Sequence, residues 1–305
     1  LINPILEIAI CTYRRLQPLE SVLASLSQMV APESMDIQVS VIDNDPEGGA
    51  RAIVDNVSAG FPFRLQYCLE PRRGIACARN RAIDEAHRQG ASYLVFIDDD
   101  EKVDRMWLFH LVRCALVFNG NCVISGRVRA LVPEGTSPVM AEFFERKCYR
   151  TGERRQYCAT NNVLIPIAVT RDLNLRFDES RPFAGGEDTL FFTEVVKKGV
   201  EVVFCAEAVV YEVIPRERIS VAWQSRRKFS VGTTQALQKM SCGRRRPRIL
   251  LSGFLQLVAS VVKMPLFRLS GRADDAYRSW LKACRSAGIV VGVFGVRSDF
   301  YRPAS

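Results

Sequence analysis

Apolar runs of five to seven residues alternate with segments of helical period through the first two-thirds of the chain. Leu6–Cys11, Ile37–Ile42, Phe63–Leu69 and Tyr93–Ile97 are short and rich in β-branched and aromatic side chains, which predicts buried strands. Between them, Leu16–Met29 repeats Leu19, Leu23 and Leu26 at helical spacing, a helix is expected through Ala50–Val57, and another runs from Gly74 to Gln89. Strand and helix in strict alternation predict an α/β fold with a doubly wound, mostly parallel sheet flanked by helices. In such sheets ligands sit beyond the C-terminal ends of the strands.

The polar residues that break this pattern stand at those ends. Thr12-Tyr13-Arg14 follows the first strand, Asp43-Asn44 the second, and Asp98-Asp99-Asp100-Glu101 the fourth. Four adjacent carboxylates disfavour a strand and repel one another. A divalent cation with hard oxygen ligands accounts for them, and a solvated acidic turn is the plainer alternative. Further on, Trp107–Phe118 reads as a helix and Cys122–Arg129 as a strand. A strand is also expected after Tyr157, carrying Asn161-Asn162 near its start. Pro182-Phe183-Ala184-Gly185-Gly186-Glu187-Asp188 is a glycine loop that delivers two acids to the start of a helix, Thr189–Lys198. Acids at a helix N-terminus are stabilising in themselves, but the glycine pair also lets backbone approach a ligand. Val202–Cys205 and Ala208–Val213 are read as two strands.

The last third changes character. Residues 213–305 hold 18 Lys/Arg against 4 Asp/Glu, although the net charge of the whole chain is only +9. Ser220–Leu237 is expected to be an amphipathic helix bearing Arg226, Arg227 and Lys228. A basic block, Arg244-Arg245-Arg246-Pro247-Arg248, then precedes the apolar stretch Ile249–Val262, which is too short to cross a bilayer. A basic cluster beside such a stretch suits an interfacial anchor on an anionic membrane, against the alternative of a core helix with a solvated flank. The expected organisation is a catalytic domain over residues 1–215 and a helical, basic C-terminal extension over 216–305.

Composition narrows the chemistry. Ten cysteines without a Cys-x-x-Cys pair predict buried thiols in a reducing compartment rather than a disulfide frame or zinc site. Two histidines, His87 and His110, leave little room for a His-based metal site or Ser-His-Asp triad. Neither a phosphate-binding Gly-x-x-x-x-Gly-Lys-Ser/Thr loop nor a dinucleotide Gly-x-Gly-x-x-Gly is present. No secretory leader is recognisable before the first strand. Metal-binding acids, a second acid pair and arginines together suit group transfer from a donor with a diphosphate leaving group. A metal-dependent nucleotidyltransferase and a non-catalytic basic module for nucleic acid or membrane are the competing readings. Nucleic acid is disfavoured as a partner, since the basic residues do not interleave with a recognition motif.

Five motifs in order carry a resemblance: Cys11-Thr12-Tyr13-Arg14-Arg15, Val41-Ile42-Asp43-Asn44, Gly74-Ile75-Ala76-Cys77-Ala78-Arg79-Asn80, Phe96-Ile97-Asp98-Asp99-Asp100-Glu101 and Gly185-Gly186-Glu187-Asp188. Across residues 5–215 the chain resembles the family 2 glycosyltransferases of the GT-A fold. Gly-Gly-Glu-Asp-Thr and Trp223–Phe229 are most similar to bacterial exopolysaccharide enzymes of the succinoglycan glucosyltransferase type. The resemblance implies an inverting transfer from a nucleotide-diphosphate sugar, with UDP favoured. Thr12, Arg14 and Asp43 would hold base and ribose, with Arg79 near the nucleotide. Asp98 and Asp100 match an Asp-x-Asp motif: Asp98 lies by the ribose or donor sugar, and the pair serves Mg²⁺ or Mn²⁺, chiefly through Asp100. Asp188 matches the general base, Glu187 orients a sugar, Asn161 and Asn162 face the sugars, and Arg226 and Arg227 close over the diphosphate. Relatives often carry a metal-binding His where Tyr211-Glu212 stands here. One sugar per encounter is expected, on a lipid-linked or lipopolysaccharide-type acceptor at the cytoplasmic face of the membrane.

Overall fold

The computed structural model describes residues 3–180 and 185–296. Pro182, Phe183 and Ala184 of the glycine loop lie outside the described residues. The chain divides into two compact units: Leu1–Leu131 with Arg146–Pro182 and Leu190–Val213, and Val132–Glu145 with Phe183–Thr189 and Ile214–Ser305. Two short segments from within the first 215 residues thus group with the C-terminal helices.

The first unit is built on one mixed sheet. Strands β1 (Ile5–Thr12), β2 (Asp36–Asp43), β3 (Arg64–Leu69) and β4 (Tyr93–Asp98) are joined by helices α1 (Leu16–Ser27), α2 (Arg51–Ser58) and α3 (Ile75–Arg88). There follow β5 (Glu101–Val103), α4 (Trp107–Val117), β6 (Val123–Leu131), α5 (Pro138–Ala141, in the second unit), β7 (Arg154–Arg155), β8 (Asn162–Pro166), α6 (Ile167–Arg171), α7 (Glu187–Lys197) and β9 (Val202–Val213). The strand order is β3-β2-β1-β4-β8-β6-β9-β5, with β7 on β9. The β3-β2-β1-β4 half is wholly parallel, as expected from its crossover helices, whereas β8 runs antiparallel to both β4 and β6.

Side chains sort by the two-residue period of the strands. Leu6, Ile8 and Ile10 of β1 join Val95 and Ile97 of β4 in the layer packed by α1 and α4. Ala9, Leu94 and Phe96 face the other layer. There α3 presents Ala76, Ala78, Ala82 and Ala86, small enough for close approach to the sheet. Phe177 stacks on Phe191 of α7 at 4.2 Å between ring centroids in the same layer.

Two expectations change. The segments Val202–Cys205 and Ala208–Val213 form one strand, β9, interrupted by a bulge: Gly126 pairs with Cys205 but Arg127 with Val209. Ala206 and Glu207 leave the ladder to bond Thr151, and the charge of Glu207 made one strand look like two. The second unit's helices are α8 (Val221–Ser241), α9 (Arg246–Leu269) and α10 (Ala273–Gly292). The apolar stretch expected to end at Lys263 continues through Met264–Leu269, giving a 24-residue helix long and apolar enough, by length and composition, to cross a bilayer.

One polar group in the sheet is costly. Glu7 on β1 is fully buried; one carboxyl oxygen accepts from the Ser40 hydroxyl and the other has no partner. Burial, with a smaller push from Glu85, raises its pKa to about 7 against the opposing Ser40 bond. The folded state therefore holds a proton that the unfolded chain releases near pH 4.5, and stability falls as pH rises from about 4.5 to about 7. Glu7→Gln is expected to raise the stability at pH 8 by roughly 1–3 kcal/mol in urea unfolding and to flatten this pH dependence. Identical pH slopes in wild type and variant would refute the assignment.

Candidate active site

The strand register sets the site. Thr12 pairs with Asp43, and Cys11 with Asp98, so the three suggestive strand ends stand at one level of the sheet. The backbone carbonyl of Thr12 accepts the Asn44 amide at 2.9 Å, extending the ladder into the loop.

Around Asp43 the contacts are internal. Its Oδ1 accepts the Asp45 amide at 3.0 Å, and Oδ2 accepts the Ala50 amide at 2.9 Å and the Tyr67 hydroxyl at 3.1 Å. A carboxylate offers about four lone-pair sites, so Asp43 spends most of its capacity fixing the loop into α2. Asn44 likewise braces the loop before α3, donating to the carbonyls of Glu70 and Arg72 and accepting the Gly74 amide. Arg14 sits at φ 54° and reaches across to Asp45 at 2.9 Å and Glu47 at 3.1 Å, with half of its side chain still in solvent.

The four carboxylates have four different surroundings. Asp99 is buried, accepting from the Thr12 hydroxyl at 2.8 Å and from Arg15 Nη1 at 2.5 Å, and it ties β1 to the turn after β4. Thr12 therefore acts on the turn through its hydroxyl. Arg15 also reaches Asp100 Oδ2 at 2.8 Å. Asp98 keeps a partly exposed side chain 3.9 Å from the buried guanidinium of Arg79, on the first turn of α3. Desolvation is the main cause of its pKa rising to about 7; Arg79 opposes this, while Asp100, Asp99 and Glu212 add to it. Glu101 is fully buried, accepts the Asp98 amide at 3.1 Å and the Asn161 side chain at 2.9 Å, and is driven well above the ordinary carboxylate range, first by burial and then by Asp98.

The two asparagines part company because neighbours on a strand face opposite ways. Asn161 joins Glu101 and accepts from Arg146 Nη1 at 3.3 Å. Asn162 turns into the sheet, accepting the Trp107 indole N–H at 2.8 Å and donating to the carbonyls of Arg127 and Ala208 at 2.9 Å each. It fills the space over Gly126, where a Cβ would meet its amide at 2.3 Å, and so holds the β6–β9 bulge. The expectation that Asn162 faces sugars is corrected: its side chain is committed to the sheet interior.

The same alternation decides between Tyr211 and Glu212. Glu212 pairs with Glu101 across β5–β9 and shares its face, where it adds to the negative field on Asp98 and takes an ion pair from Arg146 at 2.9 Å. Tyr211 points to the other face, under Arg129. Arg15 and Arg146 were missed as site residues; the tandem arginines after Thr12 signalled the first, and nothing local signalled the second.

Among the described residues, no three His, Cys, Asp or Glu side chains converge as a metal cage. The donor set nevertheless fits Mg²⁺ or Mn²⁺. Asp98 and Asp100 offer only hard oxygens, and their mutual repulsion is what a cation relieves. Such ions take one or two carboxylates and complete their shell with phosphate and water.

In the second unit, Glu187 and Asp188 begin α7, and Asp188 Oδ1 accepts the Thr189 amide at 2.6 Å. Gly186 has φ 95° and lies against α8, where a Cβ would meet Thr234 at 2.2 Å; the Thr234 hydroxyl donates to the Gly185 carbonyl at 3.0 Å. The glycine pair thus serves backbone contact with α8. Arg226 and Arg227 lie on the same helix, beyond its Ser220 cap.

A family model described as glycosyl transferase family 2 matches residues 7–171. The succinoglycan biosynthesis protein ExoM of Rhizobium meliloti (strain 1021) is 33% identical over 96% of this chain and 94% of its own length. Among solved structures, S. aureus TarS 1-349 in complex with UDP-GlcNAc aligns at TM-score 0.55 and 17% identity, over 76% of this chain and 66% of that one. S. aureus TarS 1-349 itself aligns at TM-score 0.55 and 16% identity, with 76% of this chain spanning 64% of it, under two-thirds of its length. GalNAc-T7 with UDP, GalNAc and Mn2+ aligns at 0.56 and 13%, over 73% of this chain and 47% of that one.

Asn162→Ala is expected to strand the Trp107 indole and two carbonyls at a cost of about 1–3 kcal/mol, read as a lower urea midpoint. Asn161→Ala, at the edge of the carboxylate cluster, is expected to cost less stability; equal losses would contradict the division between the two.

Proposed function

The chain belongs to glycosyltransferase family 2, and from that premise we propose that it moves one sugar from a nucleoside-diphosphate sugar to a hydroxyl of a lipid-linked oligosaccharide or lipopolysaccharide-type acceptor, with inversion at the anomeric carbon. Family membership decides against the nucleotidyltransferase and non-catalytic readings of the sequence. The observation that carries the donor side is the shared level of Thr12, Asp43 and Asp98, with Asp100 and Arg79 beside them. UDP is the favoured nucleotide, supported by solved structures of similar fold in complex with UDP-GlcNAc or UDP.

In the proposed reaction the acceptor oxygen bonds to the anomeric carbon as the bond to the diphosphate oxygen breaks. The bonding electrons leave with the nucleoside diphosphate, and the acceptor proton passes to Asp188. Asp188 takes this role by its place in Gly185-Gly186-Glu187-Asp188, with Glu187 orienting a sugar. Asp100 and Asp98 would hold Mg²⁺ or Mn²⁺, which when bound offsets the charge growing on the leaving diphosphate. Arg79 contributes positive charge beside Asp98, and Arg226 and Arg227 supply further guanidinium groups for phosphate oxygens. Arg14 is prepared for the nucleotide by its pairing with Asp45.

Release of nucleoside diphosphate from a panel of nucleotide sugars, with and without Mn²⁺, tests the reading, with thermal shift as the binding measure. A UDP-sugar is expected to raise the melting temperature and turn over. Asp188→Asn is expected to lower kcat by on the order of 10²–10⁴-fold while the UDP-induced thermal shift persists; a variant with wild-type turnover removes Asp188 as base. Asp100→Ala is expected to abolish the Mn²⁺-dependent part of the donor shift. Full activity of Asp100→Ala in excess chelator would remove the metal role.

A further inference from the structure

Helix α9 turns most of its large apolar side chains outward. Its buried positions are Ile249, Gly253 and Ser260, and a Cβ on Gly253 would touch Ile289 of α10 at 3.0 Å. Its outward positions Leu251, Leu255, Val258, Val262, Leu266 and Leu269 recur every three or four residues and are each 44–87% exposed. They form one continuous apolar stripe along the helix. Exposed apolar stripes of this extent mark a contact surface rather than ordinary scatter.

Charge indicates what covers it. Arg244, Arg245, Arg246 and Arg248 precede the stripe, Lys263, Arg268 and Arg272 accompany its second half, and no Asp or Glu occurs from 242 to 273. By helical geometry Arg248 and Lys263 fall on one flank of the stripe and Arg268 on the other. We propose that α9 lies in the plane of an anionic lipid surface, its stripe among the acyl chains and its flanking arginines and lysine on the headgroup phosphates. A second copy of the chain would have to bring two such basic sets together, and nucleic acid has no use for the leucines and valines.

The in-plane arrangement, rather than a spanning one, follows from what lies behind the helix. Ser260 and Lys263 of α9 share a cleft with Asp275, Arg278 and Lys282 of α10. Sinking α9 across the bilayer would carry these charges into hydrocarbon, which is costly. An amphipathic helix with a polar, protein-backed side and an apolar, basic-edged side belongs at the interface. Docking of α9 on lipid is independent of the sugar chemistry and of the identity of donor and acceptor.

Flotation of the full chain with phosphatidylcholine vesicles, with and without phosphatidylglycerol, provides the test. Binding is expected only with phosphatidylglycerol, weakening with salt and released by alkaline carbonate. Leu255→Asp combined with Val262→Asp alters exposed side chains, so circular dichroism should be unchanged while the bound-to-free ratio falls by about tenfold or more. Arg245→Gln with Arg246→Gln and Arg248→Gln should weaken binding to a similar degree and flatten its salt dependence. Undiminished flotation of the aspartate variant overturns the proposal. So does retention through alkaline carbonate, which indicates a spanning helix. Absence of flotation by the wild type, with a dimer that the aspartate variant dissociates, assigns the stripe to a second copy.

Discussion

Four carboxylates in a row at the end of a buried strand repel one another, and the first unit is arranged to disperse that repulsion. Asp99 and Asp100 share Arg15, Asp98 faces Arg79, and Glu101 is buried as an acceptor for the Asp98 amide and Asn161. Arg146 adds positive charge by way of Glu212 and Asn161. These partners come from the loop after β1, from α3, from the residue before β8, from the segment before β7 and from β9, so the acidic turn is also what fastens the strand ends together. Losing one arginine would leave a buried carboxylate uncompensated, a larger penalty than the ion pair's own contribution.

The surroundings of Asp99 and Glu101 set these two acids apart from Asp98 and Asp100. Asp99 is spent on Thr12 and Arg15, and burial favours the neutral form of Glu101. Asp98 keeps a partly exposed side chain, and its proton is held by burial and by the neighbouring charge of Asp100, so a cation beside the pair would relieve that repulsion. Glu212 sharpens this, since it raises Asp98 further and stands on the same face as Glu101.

Much of this was legible in the sequence, for a definable reason. Strand ends of a parallel sheet are marked by an apolar run followed by polar residues, and the fold rule then requires the ends to converge; Thr12, Asp43 and Asp98 needed nothing more. Asn162 and Glu212 could not be placed so. Their roles depend on which face of a strand they occupy, and a shift of one residue reverses that. Asn162 also depends on Gly126 leaving room for it, a relation across 36 positions of chain. Arg146 lies in an irregular stretch where no periodicity applies. The full length of α9 was hidden because Lys263 and Pro265 interrupt its apolar pattern without ending the helix.

The second unit follows a different constraint: helices α8 and α10 approach through glycine. A Cβ at Gly232 would strike the Arg285 carbonyl at 2.1 Å, one at Gly288 the Phe229 carbonyl at 2.1 Å, and one at Gly292 the Thr233 backbone at 2.8 Å. Beside that close contact, the apolar cluster among these helices is small: Ala236, Ile249, Ile289 and Val293, with Met240 packed against them. Helix α9 contributes Ile249 to it, while Gly253 and Ser260 are its other buried positions and most of its leucines and valines point outward. A soluble unit would gain by turning that helix over and burying the stripe. That α10 instead docks against the Ile249, Gly253 and Ser260 side of α9 leaves the stripe to be covered by another route. Apolar surface that such a unit would otherwise bury is thus left on the outer side of α9.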